Sequence, residues 1–225
     1  MKTKLFLIIA MVFNSLVFCQ DSLKVNEQKV RLIAVTPLND DITKVNGLTV
    51  GLGFDPKYLL KDDDLTELQT VNGINLEPNP LGIIYWFFYN PSGFEHQQLI
   101  KVNGINLSLA GYLRGISHNG ISLSMYNYGH TMNGVMGSLI SFDIEKARGV
   151  FFATMNVSSR EMKGLSIAPF NGAEVLRGVQ IGFYNNNSDG KGLQIGLVNR
   201  SKKMKGLQIG FWNKNGKRTL PLINF

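Results

Sequence analysis

Cysteine is nearly missing from this sequence: Cys19 is the only one in 225 residues. A lone thiol excludes an internal disulfide framework and any multi-cysteine metal centre. Charge is also scarce, at 17% of residues, against about 25% in ordinary soluble domains. Histidine is limited to His96, His118 and His130. Their spacing matches no metal-ligand motif. A site joining them with Asp143 or Glu95 is a weaker reading than scattered loop histidines. Asp62, Asp63 and Asp64 lack the glycine spacing of a calcium loop and read as a solvated charge run. No GxSxG, SxxK or Walker-type loop occurs, and nothing points to the paired carboxylates of a glycosidase. These absences lead to the expectation of a protein that is not an enzyme, with no catalytic, cofactor-binding or metal residue and no nucleotide cofactor. Beyond residue 19 no apolar run is long enough for a transmembrane helix. The nearest, Leu81 to Tyr89, is of strand length.

The N-terminus, by contrast, is strongly patterned. Met1 to Lys4 is a basic start, and Leu5 to Phe18 is an apolar stretch broken only by Asn14 and Ser15. This is the layout of a secretory signal peptide over residues 1–19, with cleavage before Gln20. Lipidation of Cys19 is the alternative, disfavoured by Phe18 in place of a small residue. Residues 20–225 then form a single β-repeat domain. The formal net charge is +7, or +5 without Lys2 and Lys4. Much of the excess lies in Arg200, Lys202, Lys203, Lys205, Lys214, Lys217 and Arg218. Such a cluster suits an anionic membrane surface or nucleic acid, but solvated loop positions are the plainer reading, and no nucleic-acid partner is expected.

Glycine is abundant, with 24 residues, and it is phased. Gly164, Gly178, Gly192 and Gly206 stand 14 residues apart and open the units GLSIAPFN, GVQIGFYN, GLQIGLVN and GLQIGFWN. Looser copies begin at Gly47, Gly73, Gly104, Gly120 and Gly149. Asn127, Asn156, Asn171, Asn185, Asn199 and Asn213 close strands. Within a unit the pattern alternates with period two, as in a β-strand. Leu193, Ile195 and Leu197 share one face, and Gly192, Gln194, Gly196 and Val198 share the other. The linkers, such as Arg200 to Met204, are polar turns. The expected fold class is therefore all-β, with about a dozen short strands in repeats of about 14 residues.

The direction of neighbouring strands is the open question. A straight strand from Gly192 to Asn199 covers about 23 Å, while the six residues before Gly206 stretch to about 20 Å. A parallel coil then has too little chain to return. An antiparallel meander closing into a barrel-like sheet is the expectation, with Ile181 opposite Ile195, Phe183 opposite Leu193 and Tyr184 and Trp212 lying over Gly192. A β-solenoid of shorter strands is the alternative. Gln180, Gln194 and Gln208 are read as pairing across strands rather than lining a lumen. Ala168 and Pro169, in place of a glycine and an aliphatic residue, suggest a bent or edge strand.

The tandem GLQIGLVN and GLQIGFWN units resemble a family of bacterial surface-repeat proteins built on Gly-x-Gln-x-Gly-x-x-Asn. The likeness covers Gly164 to Phe225 well and the earlier half loosely. It implies export in a double-membraned bacterium and placement at the outer membrane or cell surface, but no activity. The expected function is a structural or interaction role in the envelope, one form of which is an outer-membrane barrel with its aliphatic face outward. Against the barrel, three aliphatic residues per strand cover about 15 Å, short of a band of about 25 Å. The alternative is a periplasmic, secreted or surface-tethered soluble β-sheet module, with the aliphatic face packed inside and an unknown ligand. Outer-membrane or cell-surface components are the expected partners.

Overall fold

The structure is a computed structural model that describes residues 29–39, 41–53, 69–79, 100–109, 111 and 116–225. The signal-like segment, Cys19, Asp62 to Asp64, Leu81 to Tyr89, Glu95 and His96 lie outside the described residues. Each repeat unit is too small to bury a face alone, so the units gain stability by stacking. They do so in sequence order. The strands are β1 (Lys29–Thr36), β2 (Ile42–Gly51), β3 (Gln69–Glu77), β4 (Ile100–Ser108) and β5 (Ile116–Ser124). They continue as β6 (Asn127–Ser138), β7 (Ser141–Ala153), β8 (Asn156–Ile167), β9 (Phe170–Asn215) and β10 (Arg218–Asn224). All ten belong to one sheet in which each strand neighbours the next. The 46-residue β9 winds through successive repeats without interruption.

Every pair from β1–β2 to β8–β9 is parallel. The fold is thus a parallel β-solenoid, which was the alternative, and the antiparallel meander closing into a barrel is not formed. Among the described strands only β10 folds back antiparallel, on the last coil. Ile181 still neighbours Ile195, but one repeat on in a parallel stack, and Gln180 stacks on Gln194.

The expectation failed because a unit is not one straight strand. Numbering each coil from its leading glycine as position 0, buried side chains fall at −5, −2, +2, +4 and +7. The period-two alternation slips between −5 and −2 and again between +4 and +7. At position 0 the glycine breaks the extended path with a positive φ, 141° at Gly192. Three bends divide the coil into three short sides, so a circuit of about 46 Å at 3.3 Å per residue closes on itself with no long return.

The leading glycines stack directly on one another through Gly47, Gly73, Gly104, Gly120, Gly134 and Gly149 and on to Gly206. A Cβ on Gly192 would lie less than 3.0 Å from the backbone oxygen of Gly178. Close backbone approach and positive φ together demand glycine here. In β1 the same position is Leu32, which has no earlier described coil beneath it.

The interior is apolar at position −2, with Val45, Val71, Val102, Met132, Met162 and Leu176 all buried. In the middle coils Phe142 and Phe151 meet edge to face at 5.4 Å between ring centres. The polar face expected to point to a lumen or to solvent points into this packed interior instead. The aliphatic face points out. Ala168 and Pro169 sit at a bend between β8 and β9. That confirms the bend, but β8 pairs with a strand on each side and is not at an edge.

Candidate interaction surface

The interior polar residues form ladders that explain the repeat motif letter by letter. Gln194 donates through Nε2 to Gln180 Oε1 at 2.8 Å and accepts at Oε1 from Gln208 Nε2 at 2.7 Å. A second ladder joins Asn171, Asn185, Asn199 and Asn213, each Nδ2 donating to the next Oδ1 at 2.7–2.9 Å. The second glycine of the motif makes room for it. A Cβ on Gly196 would collide with Gly182 O and Asn185 Nδ2. In the Gly-x-Gln-x-Gly-x-x-Asn pattern, then, one glycine allows coil stacking, the other admits the asparagine amide, and the Gln and Asn hydrogen-bond along the axis. The first four glycine-led coils use smaller polar groups at the Gln position, and the next two place Met136 and Phe151 there. Thr49 donates to Asn75 at 2.5 Å, Asn75 to Asn106 at 2.7 Å and Asn106 to Ser122 at 2.9 Å. These groups are buried and bond to one another along the axis, so they hold the register of the coils.

Two buried ionisable groups lie among them. Glu77 accepts from Ser108 at 2.6 Å and from Asn75 at 2.9 Å. Burial nevertheless raises its pKa to about 7, with the two hydrogen bonds opposing the shift. His118 occupies the apolar −2 column beside Val102 and Met132, and burial lowers its pKa to about 4. His130 stands at an outer bend with Nδ1 2.8 Å from Glu145 Oε2. Glu145 continues to Arg160 at 3.5 Å and Arg160 to Glu174 at 3.8 Å. Of the histidines considered as a metal site, His118 therefore lies in the core and His130 in a surface charge ladder. Among the described residues no three His, Cys, Asp or Glu side chains are grouped to hold a metal.

The outer surface carries the larger signal. On the side that follows each leading glycine, positions +1, +3 and +5 face outward. Over ten coils these thirty positions hold no charged residue, and all but Pro78, Gly137, Thr154 and Pro169 are Leu, Ile, Val, Met or Phe. Several are well exposed, including Ile121 at 54%, Leu123 at 49%, Leu197 at 59% and Phe211 at 76%. At about 4.8 Å per coil and 3.3 Å per residue the face extends about 43 Å by 13 Å. That is on the order of 600 Å² before side-chain width is counted, at the upper limit of the largest apolar patch on a typical monomer.

Across the stacked glycines lies position −1, whose chemistry changes halfway along the axis. Asn46, Asn72, Asn103, Asn119 and Asn133 form a neutral ladder with bonds of 2.6–2.8 Å. The next five coils place Arg148, Lys163, Arg177, Lys191 and Lys205 in the same column. Arg177 pairs with Asp189 at 2.6 Å, and the bond holds the Asp189 carboxyl below its usual range. Lys163 pairs with Glu161 and lowers its pKa in the same way. Between residues 146 and 218 there are thirteen Lys or Arg against three Asp or Glu. Of the C-terminal cations that the sequence singled out, only Lys205 belongs to this column; Arg148, Lys163, Arg177 and Lys191 join it beside the apolar face through the coil register. Comparison with known family models, with curated proteins and with solved structures finds no match to this chain.

Proposed function

We propose that this protein is a non-enzymatic structural or interaction protein of the bacterial envelope that works by presenting one apolar side of a β-solenoid to a partner. The observation that carries this reading is the uncharged outward face at positions +1, +3 and +5. A face of this size, left outside the core, marks an interaction surface. Export and an outer-membrane or cell-surface location rest on the signal-like residues 1–19 and on the resemblance of the repeat units to bacterial surface repeats. The interior ladders supply the stiffness and register that keep the face regular from coil to coil. A parallel solenoid with a filled interior does not supply the closed antiparallel sheet of a conducting outer-membrane barrel.

Cell fractionation tests the reading. The wild-type protein is expected in the envelope pellet. A Leu123→Gln, Leu197→Gln, Phe211→Gln variant is expected to move into the soluble fraction with an unchanged circular dichroism spectrum, since these side chains are exposed and surface changes cost little stability. A folded variant that stays in the pellet as the wild type does would show that this face does not mediate attachment.

A further inference from the structure

We infer that the partner of the apolar face is an anionic lipid surface, engaged by the C-terminal coils; this rests on the face being the interaction surface proposed above. Three features of those coils coincide. The apolar columns are bordered on the glycine side by the basic column of Arg148, Lys163, Arg177, Lys191 and Lys205. On the opposite side, at positions +5 and +6, stand Phe183, Phe211 and Trp212, exposed by 63%, 76% and 53%. Cations at one border and aromatic rings at the other, with aliphatic residues between, are the arrangement of a surface lying at the boundary of headgroups and acyl chains. Aromatic rings settle at headgroup depth, and lysine stems lie along the apolar layer while their ammonium groups reach phosphate.

The basic column also has a cost within the fold that an external anion would offset. Neighbouring coils place these cations about 4.8 Å apart, and like charges directly opposite in a sheet repel. The same column in earlier coils is filled by asparagines that bond to one another. Asp189 and Glu161 engage Arg177 and Lys163, while Arg148, Lys191 and Lys205 are exposed. A second copy related by a two-fold axis and laid face to face would set this column against the partner's aromatic border or its neutral asparagine ladder, leaving the cations without counter-charge, whereas an anionic bilayer neutralises them. Charge complementarity therefore selects the lipid surface as the occupant.

Vesicle sedimentation with the purified protein is the test. Vesicles of phosphatidylcholine with a minor fraction of phosphatidylglycerol are expected to bind it, and pure phosphatidylcholine vesicles to bind it far more weakly. An Arg148→Ser, Lys191→Ser, Lys205→Ser variant is expected to bind the anionic vesicles roughly a hundredfold more weakly, at about fivefold per charge, with its thermal midpoint retained. Equal binding to neutral vesicles, or an unchanged affinity in the folded triple variant, overturns the inference. So does a dimer formed through the face by protein that ignores vesicles. If vesicles are ignored but the Leu123→Gln, Leu197→Gln, Phe211→Gln variant still leaves the envelope pellet, the lipid inference fails alone. If that variant stays in the pellet, the underlying reading fails with it.

Discussion

Truncating Gln194 to alanine removes a group that hydrogen-bonds to both neighbouring coils. Gln180 Oε1 loses its donor, at 2.8 Å, and Gln208 Nε2 loses one acceptor, at 2.7 Å, but keeps Lys214 O at 3.1 Å. A buried acceptor left unsatisfied costs about 1–3 kcal/mol, and a lost hydrogen bond about 1 kcal/mol. The space vacated by the amide and its methylenes adds a cavity cost of about 1–2 kcal/mol. Gln194→Ala should therefore destabilise the protein by about 3–6 kcal/mol. The adjacent Ile195 points outward and is only partly buried, so Ile195→Ser loses two cross-strand contacts, with Ile181 and Ile209, about 2 kcal/mol or less in all. Urea unfolding followed by far-ultraviolet circular dichroism should thus show a large fall in midpoint for the first variant and a small one for the second, at similar slope. The opposite order, with Ile195→Ser the more damaging, would mean that the aliphatic column lies inside. The assignment of inner and outer faces on which the interaction surface depends would then be refuted.

Gly192→Ala should cost about 3 kcal/mol or more, from positive-φ strain and the collision with Gly178 O, while Gly172→Ala has open space around its added methyl and should change stability by less than about 1 kcal/mol; equal unfolding midpoints for the two would contradict the glycine stack. Glu77 and His118 should pull the pH dependence of stability in opposite directions. The raised pKa of Glu77, about 7 against 4.5, means that its contribution is complete below pH 4.5 and is lost as pH rises through 7. The lowered pKa of His118, about 4 against 6.5, means that its contribution is complete above pH 6.5 and is lost as pH falls through 4. Each amounts to roughly 3 kcal/mol over its window, so their slopes nearly cancel between pH 4.5 and 6.5. Glu77→Gln should uncover the histidine, giving a urea midpoint that climbs with pH across that interval. A profile that stays flat in the variant would contradict the buried-histidine account.

The letters of the repeat were legible in advance because backbone chemistry and hydrogen bonding act locally. Phased glycines, period-two alternation and a recurring Asn are enough to specify β-structure in units of about 14 residues, and the Gln ladder was foreseeable from its spacing. Strand direction was not, because it depends on whether a unit is straight. The bends at Gly192 and after Gly196 leave no mark on the alternation that a linear reading registers, and they convert one apparent strand of eight residues into parts of two sides of a coil. The same point governs inside and outside. Alternation separates Gln194 from Ile195 but does not say which of them meets a core. Hydrophobicity alone favours burying Ile195. The structure buries Gln194, because the next coil supplies its amide with a donor and an acceptor at each step.

The sequence by itself therefore determined the strand chemistry, the repeat length and the basic excess near the C-terminus, since each is a property of residues near one another in the chain. Only the tertiary structure decided that the strands run parallel, that the polar letters point inward, and that the aliphatic letters and the basic residues form adjoining columns on the surface. A column joins residues from successive coils, and its existence depends on the in-register stacking of the leading glycines, a relation between backbones that no single unit contains.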